Sequence, residues 1–181
     1  LETSGVAAGD IIAASRKPEQ LVELAAKGVL VRRVDFDDAA SMEAAFAEAE
    51  KVLVISTDTL DRPGHRLVQH RAAVAAAEKA GVRHLLYTSM PEPVNSALLF
   101  APDHEGTEAA IEASSVPAWT ILRNNWYFEN VMMSAGPALA SGHWYSAAGD
   151  GKVAHIARDD IGRAIAAALV AADKEKTVYT L

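Results

Sequence analysis

The 181-residue chain contains no cysteine, which excludes a disulfide framework and any thiol chemistry. It also lacks an excess of basic residues: 17 lysines and arginines face 24 aspartates and glutamates, for a formal net charge of −7. A general nucleic-acid binder needs a basic stripe to neutralise phosphates, and here only the pairs Arg16-Lys17 and Arg32-Arg33 stand together. No nucleic-acid partner is expected. No apolar run approaches the ~20 residues of a membrane-spanning helix, so no membrane partner is expected either. Leu1-Glu2-Thr3 does not resemble a signal peptide. These absences fit a cytoplasmic protein.

Further absences narrow the chemistry. No G-x-S-x-G elbow supports serine hydrolysis, and none of the six histidines has the i, i+4 spacing of a helical zinc pair, so no metal is expected. The most informative absence is a G-x-x-G-x-x-G turn, which opens a dinucleotide-binding domain after its first strand. The first ten residues carry only Gly5 and Gly9, and Ile11 to Ser15 already reads as a second strand.

What is present alternates between short apolar runs and alanine-rich amphipathic stretches, the pattern of βα units in a parallel sheet. Strands are expected at Ile11 to Ser15, Val29 to Val34, Val52 to Ser56, Leu85 to Thr88, Ala118 to Leu122 and Thr177 to Leu181. Helices are expected at Pro18 to Lys27, at Ser41 to Glu50 with Ser41 as its cap, at Arg66 to Ala80, and at Asp103 to Ser114. Two more follow, at Trp126 to Ala135, ending near Gly136-Pro137, and at Asp159 to Ala172. Trp144 to Ser146 and Lys152 to Ile156 suggest short strands about the Gly149-Asp150-Gly151 turn. The whole chain reads as one domain.

In open α/β sheets ligands bind at the carboxyl ends of the strands. That rule selects Ser15-Arg16, Asp35-Phe36, Ser56-Thr57, Tyr87-Thr88-Ser89 and Arg123-Asn124-Asn125, each polar where an apolar run stops. An acid after the second strand would suit a ribose 2′-hydroxyl. Ser15-Arg16-Lys17 suits the 2′-phosphate of NADP(H) instead, because guanidinium pairs with phosphate in a bidentate way. Phe36 reads equally as an adenine neighbour or a core residue. Trp126, Tyr127 and Phe128 read as core or as the floor of a pocket for a flat substrate. Asp37-Asp38 and Asp159-Asp160 are explained by helix dipoles.

Lys79 to Ser89, His104-Glu105-Gly106-Thr107-Glu108 and Thr120 to Tyr127 resemble segments of NmrA-like proteins, an atypical branch of the short-chain dehydrogenases. The combination is closest to the NADPH-dependent quinone oxidoreductase and triphenylmethane reductase subgroup. Ala147 to Lys152 and Arg158-Asp159-Asp160 agree. The resemblance implies a Rossmann-like, doubly wound parallel sheet binding NADP(H). By position, Arg16 would meet the 2′-phosphate and Ser56 and Thr57 would line the cofactor path. Tyr87, Thr88 and Ser89 would lie near the nicotinamide ribose. Asn124, Asn125, Trp126 and Tyr127 would border nicotinamide and substrate, with Lys152 either at the cofactor or solvated.

The resemblance also places His104 at the catalytic lysine of ordinary short-chain dehydrogenases and Phe100 at their tyrosine. Phenylalanine cannot donate a proton, which disfavours alcohol–ketone chemistry and suits hydride transfer to a quinone or similar flat acceptor. His104 remains a candidate hydrogen-bond donor or proton source. The alternative is a non-catalytic redox sensor acting through a protein partner, and a homodimer is compatible with either. The absent first strand would be the central one of the sheet. The strands at Ile11 and Val52 are therefore expected to show facing unpaired edges, and a domain incomplete at both ends is expected to bind cofactor weakly.

Overall fold

Short apolar runs become strands here because alanine-rich helices between them cover the sheet and take its side chains out of water. The computed structural model describes residues 4–171 and 175–181. In chain order the elements are β1 (Ile12–Ser15), α1 (Val22–Ala26), β2 (Leu30–Arg33), α2 (Ala39–Phe46), β3 (Lys51–Val54), α3 (His65–Lys79) and β4 (His84–Ser89). They continue with α4 (Ala101–Ala113), β5 (Ala118–Arg123), β6 (Trp126–Tyr127), α5 (Val131–Ser141), β7 (His155–Ile156), α6 (Arg158–Val170) and β8 (Lys176–Thr180).

The pairings are parallel and fall into three groups: β1-β2, β3-β4-β5-β8 and β6-β7. This is a Rossmann-like α/β sheet with a break between β1 and β3, which do not pair with each other. Among the described residues β1 pairs with β2 alone and β3 with β4 alone, so each has one edge without a strand partner.

Burial is concentrated in the larger group. Every residue of β4 is buried, and in β5 all but Arg123. Leu85, Tyr87 and Ile121 pack with Met42 and Phe46 of α2, Val74 of α3 and Ile111 of α4. Gly106 lets α4 lie close to α3, since a Cβ there would stand 2.8 Å from both methyls of Leu67. The cation of Lys51 closes the end of α6 by donating to the Leu169 and Ala171 carbonyls at 2.7 Å each.

Several boundaries differ from expectation. The first helix begins as a 3-10 turn, Pro18–Leu21, before α1. Asp38, not Ser41, caps α2: its carboxylate accepts from the Ser41 N–H, while the Ser41 hydroxyl accepts from the Asp35 N–H. The helix expected from Trp126 starts only at Val131, because Trp126–Tyr127 pair with His155–Ile156 as β6-β7. It then runs through Gly136-Pro137 rather than ending there. None of its residues is buried, so water can satisfy the carbonyl that Pro137 leaves free. Trp144 to Ser146 is not a strand, and of Lys152 to Ile156 only the last two residues are. Ala172, the expected end of the last helix, lies outside the described residues.

Candidate functional site

A cavity of about 1150 Å³ opens beyond the carboxyl ends of β3, β4 and β5. Ser56 and Thr57 follow β3, Ser89 ends β4, and Asn124 and Asn125 follow β5; all five line it. The opposite wall carries Trp126, Tyr127 and Lys152. The β6-β7 pairing pins that wall, helped by the Arg158 guanidinium 5.8 Å from the Tyr127 ring centre and by the Arg158 N–H donating to Glu129. Ser15, Arg16 and Lys17 lie elsewhere, around a separate hollow at the end of β1. An exposed ion pair, Arg16–Asp58 at 3.7 Å, links the segment after β1 to the segment after β3.

Of the other sequence-selected residues His104 also lines the large cavity, whereas Asp35, Phe36, Tyr87 and Thr88 line neither hollow. The Asp35 carboxylate accepts from the Asp37 N–H, and Phe36 packs against the core. Thr88 is buried and accepts a 2.9 Å hydrogen bond from the Ser56 N–H, so it positions the segment after β3 from beneath. Tyr87 is wholly buried and does not line the cavity, contrary to its expected place beside a ribose. Alternation along β4 puts it on the face that packs with Leu85 against the helices.

Its hydroxyl belongs to a buried polar network whose proton positions follow from the partners. Arg66 has only donors, so its Nη2 donates to His104 Nε2 at 3.0 Å. The His104 proton therefore sits on Nδ1, 2.8 Å from the Tyr87 hydroxyl. The Thr57 N–H donates to His70 Nε2 at 3.0 Å, which leaves the His70 Nδ1–H facing the Thr107 hydroxyl at 2.9 Å. Burial pushes both imidazoles down to about 3, with the nearby Arg66 charge adding to the effect. Burial likewise raises the Tyr87 phenol well above its usual range.

Both histidines are thus neutral and committed on both nitrogens. His104 has no proton to offer the cavity, and the expected proton-source role gives way to positioning Arg66.

Below Asn124, the buried carboxylate of Glu108 accepts from the Ser89 hydroxyl at 2.5 Å and from Arg123 Nε and Nη2 at 3.0 and 2.6 Å. This bond set clamps the ends of β4 and β5 and raises the Arg123 pKa. Asn125 is tied to the Leu181 carbonyl through its backbone and side-chain N–H groups. Asn124 differs: its amide nitrogen and oxygen are both buried without a partner while the residue lines the cavity. A buried orphan donor–acceptor pair is costly, and a ligand carrying both functions would satisfy it.

Those observations test the fit of a dinucleotide. Asn124 matches the donor and acceptor of a nicotinamide carboxamide, and Arg16 with Lys17 matches a phosphate. The residues fit at these two ends. No G-x-x-G-x-x-G turn occurs between them to cradle a diphosphate. Among the described residues no cluster of three potential metal ligands occurs, and no helix is long and apolar enough to cross a membrane.

Arg66, His70 and Glu108 escaped the sequence reading. Their signal was nevertheless present: Arg66-Gln69-His70 and His104-Thr107-Glu108 are polar stripes at helical spacing, one on each of two alanine-rich helices.

A model of the NAD(P)H-binding family matches residues 4–172. Quinone oxidoreductase 2 of Escherichia coli (strain K12) is 40% identical over 176 residues, which cover 97% of this chain and 60% of that protein. Two solved structures share the fold at a TM-score of 0.91. One is Citrobacter sp. triphenylmethane reductase complexed with NADP(H), 34% identical; the other is the Escherichia coli NADPH-dependent quinone oxidoreductase complexed with NADPH, 39% identical. Each match covers 99% of this chain and 62% of the other. The chain therefore spans about three-fifths of the length of these relatives.

Proposed function

Because the chain belongs to the NAD(P)H-binding family, we propose that it forms the cofactor-binding part of an NADPH-dependent reductase of quinones or similar flat electron acceptors. The observation that carries this reading is Asn124: a buried, unpartnered amide on the wall of a cavity at the strand ends, next to Trp126 and Tyr127. The bound nicotinamide would supply a hydride. The protein's own contribution is to orient two flat rings and keep water away, which suits an acceptor electrophilic enough to need little acid catalysis. The similarity to a quinone oxidoreductase and a triphenylmethane reductase supports the same acceptor class.

Arg16 and Lys17 support NADPH over NADH, since a second phosphate would find two cations at the end of β1. The test is NADPH oxidation by the full-length protein with a panel of quinones and cationic dyes, followed by absorbance. Turnover with at least one acceptor, and much slower turnover with NADH, is expected. Tight NADPH binding without turnover across the panel would favour the redox-sensor reading instead.

A further inference from the structure

We propose that Arg66 is the acceptor-binding cation of this cavity: its guanidinium takes a carbonyl oxygen of the flat acceptor and holds the negative charge that oxygen gains on reduction. The inference rests on the reading of the cavity as an acceptor site.

Arg66 is only 6% exposed, yet it lines the cavity. It forms no ion pair among the described residues. Among the described residues its side chain hydrogen-bonds to His104, which is neutral, and its buried Nε has no partner. Glu92, which also lines the cavity, is exposed to solvent. Glu108 is held by Ser89 and Arg123, and Asp58 on the cavity rim pairs with Arg16. A buried cation without a counter-charge is unfavourable, and proteins keep one where a ligand supplies the anion.

Local structure strengthens the positive potential. Arg66 stands in the first turn of α3, a turn with no acidic residue and no side-chain cap, so the helix dipole adds to the guanidinium charge. The guanidinium carbon lies 5.7 Å from the Phe100 ring centre, and His104 holds Nη2, which fixes the group's plane. Lys152, another cation on the cavity wall, is exposed and screened by water.

The chemistry balances with NADPH as reductant. A hydride passes from the reduced nicotinamide to the quinone: a ring C–H bond breaks, a bond from hydrogen to the acceptor forms, and both electrons move with it. The acceptor becomes a hydroquinone monoanion. Arg66 holds the anionic oxygen until water supplies the second proton. Charge that appears only as the acceptor is reduced is where a preorganised donor is most effective.

The test uses 4-nitrophenol, whose two ionisation states absorb differently and whose binding needs no turnover. With the full-length, NADP⁺-loaded protein, the phenolate is expected to bind about ten- to hundredfold more tightly than the phenol, the scale of a charge-assisted hydrogen bond. The apparent pKa of the bound probe then falls by about one to two pH units. Arg66→Gln, which keeps a donor toward His104, should abolish that shift, and Arg66→Lys should retain part of it.

Equal affinity of the wild-type protein for phenol and phenolate would overturn the proposal whatever the variants do. A shift that persists in a folded Arg66→Gln protein would overturn it as well, while leaving the acceptor site standing. Failure of the wild type to bind the probe, together with no quinone turnover, would instead remove the functional reading on which it rests.

Discussion

The β1-β2 pair and the β3-β4-β5-β8 sheet are built from similar runs of Ile, Val, Leu and Ala, yet they are buried to different degrees. No residue of β1, α1 or β2 is buried, whereas β4 is buried from end to end. The difference lies in neighbours. β4 is paired on both edges and covered by α3 and α4, while among the described residues β1 pairs only with β2. A strand's apolar content does not bury it; having partners on both sides does. The proposed cofactor site straddles this difference, with its phosphate end on the sparsely buried pair and its nicotinamide end on the packed sheet.

The sharpest way to break that comparison is to truncate one isoleucine in each region. Ile121→Ala removes a wholly buried side chain from β5 and should cost about 2–5 kcal/mol in urea unfolding. Ile12→Ala, in partly exposed β1, should cost less than about 1 kcal/mol. Equal losses would mean that the two sheets unfold as one equally packed unit.

A smaller effect tests the division of the binding site. Arg16→Ala should weaken NADPH binding by about 1.5–3 kcal/mol and leave NADH binding nearly unchanged, as titration calorimetry would show. Its effect on stability should be near zero, because its ion pair with Asp58 is exposed. Equal losses for the two cofactors would remove Arg16 from the 2′-phosphate site.

The smallest effect per step is a pH slope confined to the packed sheet. His70 and His104 titrate near 3 when folded, far below the ordinary value of 6.5. Between those values the unfolded chain binds more protons than the folded one. Their contribution is therefore fully present above about pH 6.5 and is lost as pH falls toward 3. Each should contribute up to about 1.4 kcal/mol per pH unit in that window. His70→Gln should flatten the acid limb of a stability–pH curve. An unchanged limb would mean that His70 is already charged in the native state.

Much of the site was legible in sequence wherever it depended on strand ends. Ser56, Thr57, Ser89, Asn124 and Asn125 gather on one cavity because parallel strands put all their carboxyl ends on the same side. Tyr87 and Thr88 belong to the same strand but serve beneath the cavity, because they stop short of the sheet's end, where only the last residue, Ser89, reaches it. Arg66 was not legible, since a charged residue in a helix's first turn ordinarily faces water. Only the packing of α3 against α4 shows that it is enclosed.

By itself the sequence determined the α/β class, the order of its strands and helices, and the polar residues that close each strand, because these depend on local periodicity and on short motifs. Tertiary structure decided which of those residues meet. It tied both histidines into a neutral buried network and left the Asn124 side-chain amide and the Arg66 Nε without a partner among the described residues. Those outcomes depend on contacts between elements far apart in the chain, and no local pattern of residues carries that information.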